Sequence, residues 1–242
     1  MTAQPAASEP RWQRRKDARP AELLKAALAI FTERGYSGTR LDDVAARAGV
    51  TKGTLYLYYA GKEELFKAVV REGLVSPLIE VRGLIDTFAG PTADLLRTVV
   101  RGWWERIGST ALAGIPKLML AEAANFPDIA RFYIEEVILP GQDAMARLIR
   151  RGIERGEFRP VDPEQVAHLL AAPFLLISAW RHGFGHAVQG DLPTLSDGPA
   201  LLDAHVDILL RGLAAQGPAP RPAARPAARR AARPAARKGK PS

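Results

Sequence analysis

The chain has 242 residues, 47% of them apolar, with no cysteine and with 34 Lys and Arg against 26 Asp and Glu, a net charge of +8. The apolar share supports a sizeable core, and the missing cysteines exclude a disulfide framework, thiolate catalysis, Fe–S clusters and Cys-ligated zinc. The basic excess argues against an acidic chain that avoids nucleic acid and makes a polyanionic partner an expectation, not a finding.

Residues 1–18 read as a basic flexible arm carrying Arg11, Arg14, Arg15 and Lys16, with Arg19 just beyond. Met1 to Pro10 contains no apolar signal-peptide run. The longest relevant charge-free stretch, Gln165 to Trp180, contains Pro173 and falls short of the roughly 20 apolar residues that a membrane span needs. A cytoplasmic, nucleoid-associated protein with no membrane contact is therefore expected.

Residues 20–215 read as almost continuous helix. Apolar residues recur at helical spacing and strand-like alternation is nearly absent, which predicts an all-α fold. Leu23, Leu24, Ala27, Leu28, Ile30 and Phe31 share one broad face, and Gly35 follows as a stop signal. Thr39 precedes Leu41, Val44, Ala45 and Ala48, and with Asp42 it has the spacing of a capping box. Gly49-Val50 interrupts, Thr51–Tyr58 is a second short helix, and Gly61 precedes a longer one. Further helices are predicted at about 63–88, 92–107, 111–124, 128–155, 163–185 and 197–215, separated by Gly, Pro and Asn punctuation. Pro140-Gly141 and Pro173 fall inside two of these and should kink or divide them.

The segment TRLDDVAARAGVTKGTLYLYYAGK (39–62) has the marks of a helix-turn-helix. Val44 and Leu55 are apolar where two helices would press together, Ala45 is small at their close approach, and Gly49 sits where the turn calls for positive φ. That arrangement leaves the second helix outside, free to enter a DNA major groove. Thr51, Lys52, Gly53 and Thr54 stand at its N-terminal end. Lys52 suits guanine O6 or N7, Thr54 suits base edges or a thymine methyl, and Gly53 lets the backbone come close. Tyr56, Tyr58 and Lys62 suit phosphates, which set register rather than sequence. The bland alternatives are boundary aromatics and a solvated lysine, and Tyr59 reads as core.

The run GVTKGTLYLYYAGKEELF, with FTERGYSGTRLDDVA ahead of it, resembles the N-terminal domain of the TetR (tetracycline-repressor) family of transcriptional regulators over about residues 19–67. The stretch LMLAEAANFPDIARFYIEEVI is similar to AefR-type C-terminal domains of that family. The resemblance implies a three-helix DNA-binding domain at 19–65 and a helical ligand-sensing and dimerisation domain at 66–216. It implies base-proximal positions for Thr51, Lys52, Gly53, Thr54 and Leu57, and backbone-contacting ones for Arg40, Tyr56, Tyr58 and Lys62. Leu57 departs from the polar or aromatic residue common there, which limits it to methyl contact.

The resemblance also implies a homodimer on double-stranded DNA, its two recognition helices about 34–36 Å apart in successive major grooves. The amphipathic segments at about 163–215 are the expected interface, the alternative being that they close the monomer's own core. A sensor needs a cavity with a few polar groups in an apolar wall. Trp103, Trp104, Met119, Phe126, Tyr133, Phe174, Ser178 and Arg181 are the candidates, each of which also fits ordinary core packing. Adjacent Trp103 and Trp104 should diverge, one inward and one to a boundary. Their character points to a small apolar or aromatic effector. His182 and His186 share metal-ligand spacing but have no acidic neighbour, and read as exposed histidines at a helix end.

From Arg221 the chain runs RPAARPAARRAARPAARKGKPS, with eight basic residues and no acid. Residues 20–215 hold 21 basic and 24 acidic residues, so the positive charge lies outside the helical body. Pro222, Pro226 and Pro234 break a helix, and residues 217–242 read as a disordered basic tail. The tail would condense on phosphates without sequence preference, or it is a solvated extension. The leading expectation is a ligand-responsive repressor on a palindromic operator, and the alternative is a tail-dominated, non-specific architectural protein. No nucleophile–base pair, metal cluster, phosphate-cradling loop or facing carboxylate pair is legible, so neither catalysis nor a cofactor is expected.

Overall fold

The computed structural model describes residues 11–184 and 197–215, with side chains from residue 20 onward. The chain forms α1 (Arg11–Gly38), α2 (Leu41–Arg47), α3 (Lys52–Tyr56), α4 (Lys62–Val70), α5 (Ser76–Thr87) and α6 (Thr92–Trp103). These are followed by α7 (Gly114–Glu122), α8 (Pro127–Tyr133), α9 (Leu139–Glu154), α10 (Pro163–His182) and α11 (Gly198–Leu213). Among the described residues there is no strand, only an isolated bridge between Phe158 and Ala214 that pins the end of α11. No described helix is long and apolar enough to cross a membrane. The basic tail 217–242, His186 and the first ten residues of the expected arm lie outside the described residues.

Helix α1 starts at Arg11, not at residue 19. Residues 11–18, expected as a flexible arm, are helical, as Gln, Arg, Lys and Ala favour. The stop read at Gly35 is present: its φ of 76° leaves the helical region, and a short turn carries the chain to Gly38. The Thr39 capping box does not form. Arg40 holds the N-cap of α2 without a side-chain bond. The buried Thr39 hydroxyl instead donates to the Gly35 carbonyl at 2.7 Å, serving an orphan acceptor at the end of α1.

Single π turns join several predicted helices without ending them: Arg71–Val75 between α4 and α5, Trp104–Gly108 after α6, and Ile134–Ile138 between α8 and α9. Pro77 and Pro140 each lie two residues beyond such a turn. A proline cannot donate to the carbonyl four residues back. Those carbonyls belong to Gly73 and Glu136, both within π turns, so the wider turn absorbs the lost bond and the helix is not divided there. Nor does Pro173 divide α10. It withholds a donor from the Leu169 carbonyl, which faces the His205 ring of α11. Burial outweighs that contact and holds the imidazole below its ordinary pKa.

Two hydrophobic cores organise the molecule. The first gathers Leu23, Phe31, Val44, Leu55 and Phe66 from α1–α4 with Leu118, Met119, Ile129 and Phe132 from α7 and α8. The second gathers Leu95, Leu96, Leu148, Ile149, Leu170 and Val206 from α6 and α9–α11. Trp103 packs against both. The division expected between residues 65 and 66 therefore falls inside one core. Outside the second core, α10 and α11 leave Leu169, Leu175, Leu176 and Ile208 exposed, Ile208 at 70%.

Candidate nucleic-acid interface

Helices α2 and α3 are too short to be stable alone, and packing fixes them. Val44 and Leu55 are completely buried and Ala45 nearly so. Gly49 takes φ 66° at the turn, a left-handed conformation that costs a side chain about 1–2 kcal/mol. Its N–H donates to Ala46 O at 3.1 Å, and Val50 N–H to Ala45 O at 3.0 Å. The Thr51 hydroxyl caps α3 by accepting from Thr54 N–H at 3.1 Å. The hydroxyls of Thr51 and Thr54 lie 2.9 Å apart, which preorganises the N-terminal end of the helix.

Leu55 anchors α3, and the opposite side of the helix is open. Arg40, Thr51, Lys52, Gly53, Tyr56, Leu57 and Tyr58 are exposed, Leu57 at 82%, and Thr54 is half-buried. A monomer gains nothing by leaving Tyr56, Leu57 and Tyr58 in water together, and such a cluster marks a contact surface. A Cβ at Gly53 would meet only the Thr51 hydroxyl, at 3.8 Å, so nothing inside the protein requires glycine there. Tyr58 also lines an open cleft of about 560 Å³ with Leu24, Tyr59, Arg71 and Glu72. Tyr59 is half-buried against the first core, as expected.

Lys62 sits differently from a free phosphate donor. Its ammonium donates to the Tyr36 carbonyl at 2.9 Å and the Ser37 carbonyl at 3.3 Å, and lies 4.7 Å from the centre of the Tyr36 ring. It therefore closes the C-terminal end of α1, where a cation is favoured, with one N–H to spare. Sequence reasoning missed the partners around it. Ser37 N–H donates to the Glu122 carboxylate of α7 at 3.0 Å, and Phe126 meets the Tyr36 ring edge-on at 4.7 Å. Arg34–Asp43 and Arg47–Glu33 pairs tie α1 to α2. Lys52 pairs with Asp42 at 2.8 Å. None of these pairings has a local spacing signature.

The structure divides the effector candidates. Met119 and Tyr133 belong to the first core and Phe126 packs against it, beside helices α1–α4, and burial pushes the Tyr133 phenol far above its ordinary pKa. Trp103, Trp104, Phe174, Ser178 and Arg181 come together at α6, α10 and the π turn. The Trp103 and Phe174 rings stack at 4.3 Å, and the Arg181 guanidinium lies 5.2 Å from the Trp104 ring centre. The buried Ser178 hydroxyl donates to the Phe174 carbonyl at 2.8 Å. Arg181 Nε is buried with no hydrogen-bond partner among the described residues. Both tryptophans are half-buried, in place of the expected division into one inside and one at a boundary. His182 is likewise half-buried at the end of α10, not exposed. Among the described residues no group of His, Asp and Glu could hold a metal ion.

Comparison with known proteins gives two family matches. The profile described as bacterial regulatory proteins, tetR family, covers residues 23–69, and a tetracyclin repressor-like C-terminal domain covers residues 84–187. The chain is 31% identical over 145 residues to the HTH-type transcriptional repressor KstR2 of Mycobacterium tuberculosis, spanning 60% of this chain and 71% of that protein. It is 29% identical over 157 residues to the HTH-type transcriptional regulator YfiR of Bacillus subtilis, spanning 61% and 72%. Superposed on the structure of the ketosteroid regulator KstR2, it reaches a TM-score of 0.61 at 28% identity, covering 82% of this chain and 96% of that one. The Bacillus subtilis regulator FadR, solved with stearoyl-CoA, shares the fold at a TM-score of 0.61 and 17% identity, over 80% and 98% of the two chains.

Proposed function

The chain belongs to the tetR family of bacterial regulatory proteins, a DNA-binding transcriptional regulator with an all-α fold, and on that footing we propose that it is a ligand-responsive repressor binding a palindromic operator as a homodimer. The observation that carries this reading is the outward side of α3. Lys52, Gly53, Tyr56 and Leu57 stand exposed on a helix whose other side is fixed by completely buried Leu55. Lys52 and Thr54 read base edges, Leu57 offers a methyl contact, and Arg40, Tyr56, Tyr58 and the spare N–H of Lys62 hold phosphates.

The exposed stripe of Leu169, Leu175, Leu176 and Ile208 supports the two-fold contact, α10 and α11 of each subunit forming a four-helix interface. The stacked Trp103 and Phe174, with Arg181 beside Trp104, support a small apolar or aromatic effector at the second core. KstR2, a ketosteroid regulator, and FadR, solved with stearoyl-CoA, share the fold, and a steroid skeleton and a stearoyl chain are both apolar. Effector binding releases DNA to the extent that it favours one spacing of the recognition helices over another.

Selection of bound duplex from a random pool, with the whole chain and with a chain ending at residue 216, tests the reading. A palindromic motif recovered by both is the expected result. Lys52→Ala then weakens the selected site and relaxes one position, whereas Tyr56→Phe weakens all sequences alike. Loss of all binding with the shorter chain favours the architectural alternative.

A further inference from the structure

The Lys52 ammonium is not free at the surface of α3. It lies 2.8 Å from Asp42 Oδ1 and 3.2 Å from Oδ2, so it spans both carboxylate oxygens. Both side chains are 55% exposed, on the side of the head that α3 presents outward. Asp42 stands in the first turn of α2, where the helix dipole favours an anion, and Lys52 opens α3. Arg40 and Tyr56 are close enough to act on the Lys52 charge. The neighbouring acids behave differently: Asp43 pairs with Arg34 and Glu33 with Arg47, both along α1.

We propose that Asp42 is a specificity-determining residue, acting by holding the Lys52 ammonium so that it serves as a reader of one base and not as a general phosphate ligand. This rests on the DNA-binding reading of α3. An ammonium has three N–H donors. One donates to Asp42 Oδ2 while the ammonium stays in ion-pair contact with Oδ1, and the donors turned away from Asp42 are left for a guanine O6 or N7. On unrelated DNA the pair is internally neutral. It then releases no counterion, and the fixed carboxylate repels nearby phosphates. Lys52 thus adds little to binding in general and much to binding at a matching base pair. Beside a guanine, the Asp42 carboxylate can also accept from the amino group of a neighbouring cytosine.

The test compares the unmodified chain, Asp42→Asn, Asp43→Asn and the Asp42→Asn/Lys52→Ala pair on two probes. One is the site selected by the unmodified chain, and the other is a scrambled duplex of the same composition. Binding is followed from 50 to 200 mM salt, with thermal melting as a check on folding. Asp42→Asn should bind the scrambled duplex more tightly and steepen its log K against log[salt] slope by about 0.9. The ratio of selected-site to scrambled affinity should fall about tenfold. In the Lys52→Ala background Asp42→Asn should no longer change that ratio, and Asp43→Asn should leave it intact. An unchanged ratio and slope in Asp42→Asn overturns the inference, as does an equal loss in Asp43→Asn, which would make the effect one of bulk charge. If the unmodified chain selects no site, the DNA-binding reading fails first and takes this one with it.

Discussion

Gly53 carries a contradiction that only an external partner resolves. Glycine in a helix gives up backbone entropy on folding, and the space around its Cα is empty of protein apart from one hydroxyl. Gly53→Ala should therefore stabilise the free protein by about 0.4–1 kcal/mol, since a helical backbone accepts alanine. The same methyl group should weaken binding to DNA of every sequence, because it stands where the backbone closes on the duplex. Urea unfolding and duplex titration of one variant check both signs. A variant both more stable and fully competent would remove Gly53 from the interface. Gly49 and Leu55 were legible because their roles are local: a positive φ and a helical period. Thr39 was misread, and the partners of Lys62 and Asp42 were missed. Thr39 turns back to the Gly35 carbonyl four residues earlier, whereas Lys62 and Asp42 reach partners supplied by tertiary approach, and sequence spacing says nothing of which group lies across the gap.

At the scale of elements, helix and turn were largely legible. Proline, glycine and asparagine punctuate the chain where apolar spacing lapses, and the predicted spans follow the helices closely when π turns are counted as helical. The π turns themselves were not foreseen. The turns at 71–75 and 134–138 each have a proline two residues downstream, which the usual rule reads as a break. Helix α10 shows the same lesson, since Pro173 is buried within it. The outer sides of α10 and α11 give the test at this scale. Leu169→Glu with Ile208→Glu places two charges on a stripe that should be dry between subunits. Light scattering should show a monomer with the helical content of the parent. Operator affinity should fall about 100-fold or more, because two half-sites lose their linkage. A variant that scatters as the parent does would move the subunit contact elsewhere.

Across the whole molecule, the charge and the core divide the chain along different lines. The helical body of residues 20–215 is slightly acidic, so on the proposed function specific recognition would rest on a few groups around α3, and the basic tail would add attraction without choice. The first core is shared between the DNA-binding helices and α7–α8. Leu65, Phe66, Val69 and Val70 are buried in it together with Ile115, Met119, Phe132 and Tyr133 from far along the chain. A fragment of residues 20–75 would expose that half of the core to water. It should show no cooperative thermal transition and collapsed, poorly dispersed amide signals, whereas the full chain unfolds sharply. A well-folded fragment would show that α1–α4 need no support from α7 and α8.

That shared core also sets a rule of inheritance. Recombination between two relatives at the end of α4 would pair the head of one parent with the supporting helices of the other, and side chains from two lineages would meet in one interior. Ser37 would lose or keep Glu122, and Tyr36 would lose or keep Phe126, by chance. A hybrid regulator that answers a new effector at an old operator is better built by carrying α7 and α8 along with the head. The exchanged parts would then be α6 and α9–α11, with Trp103, which packs on both cores, as the residue to match by hand.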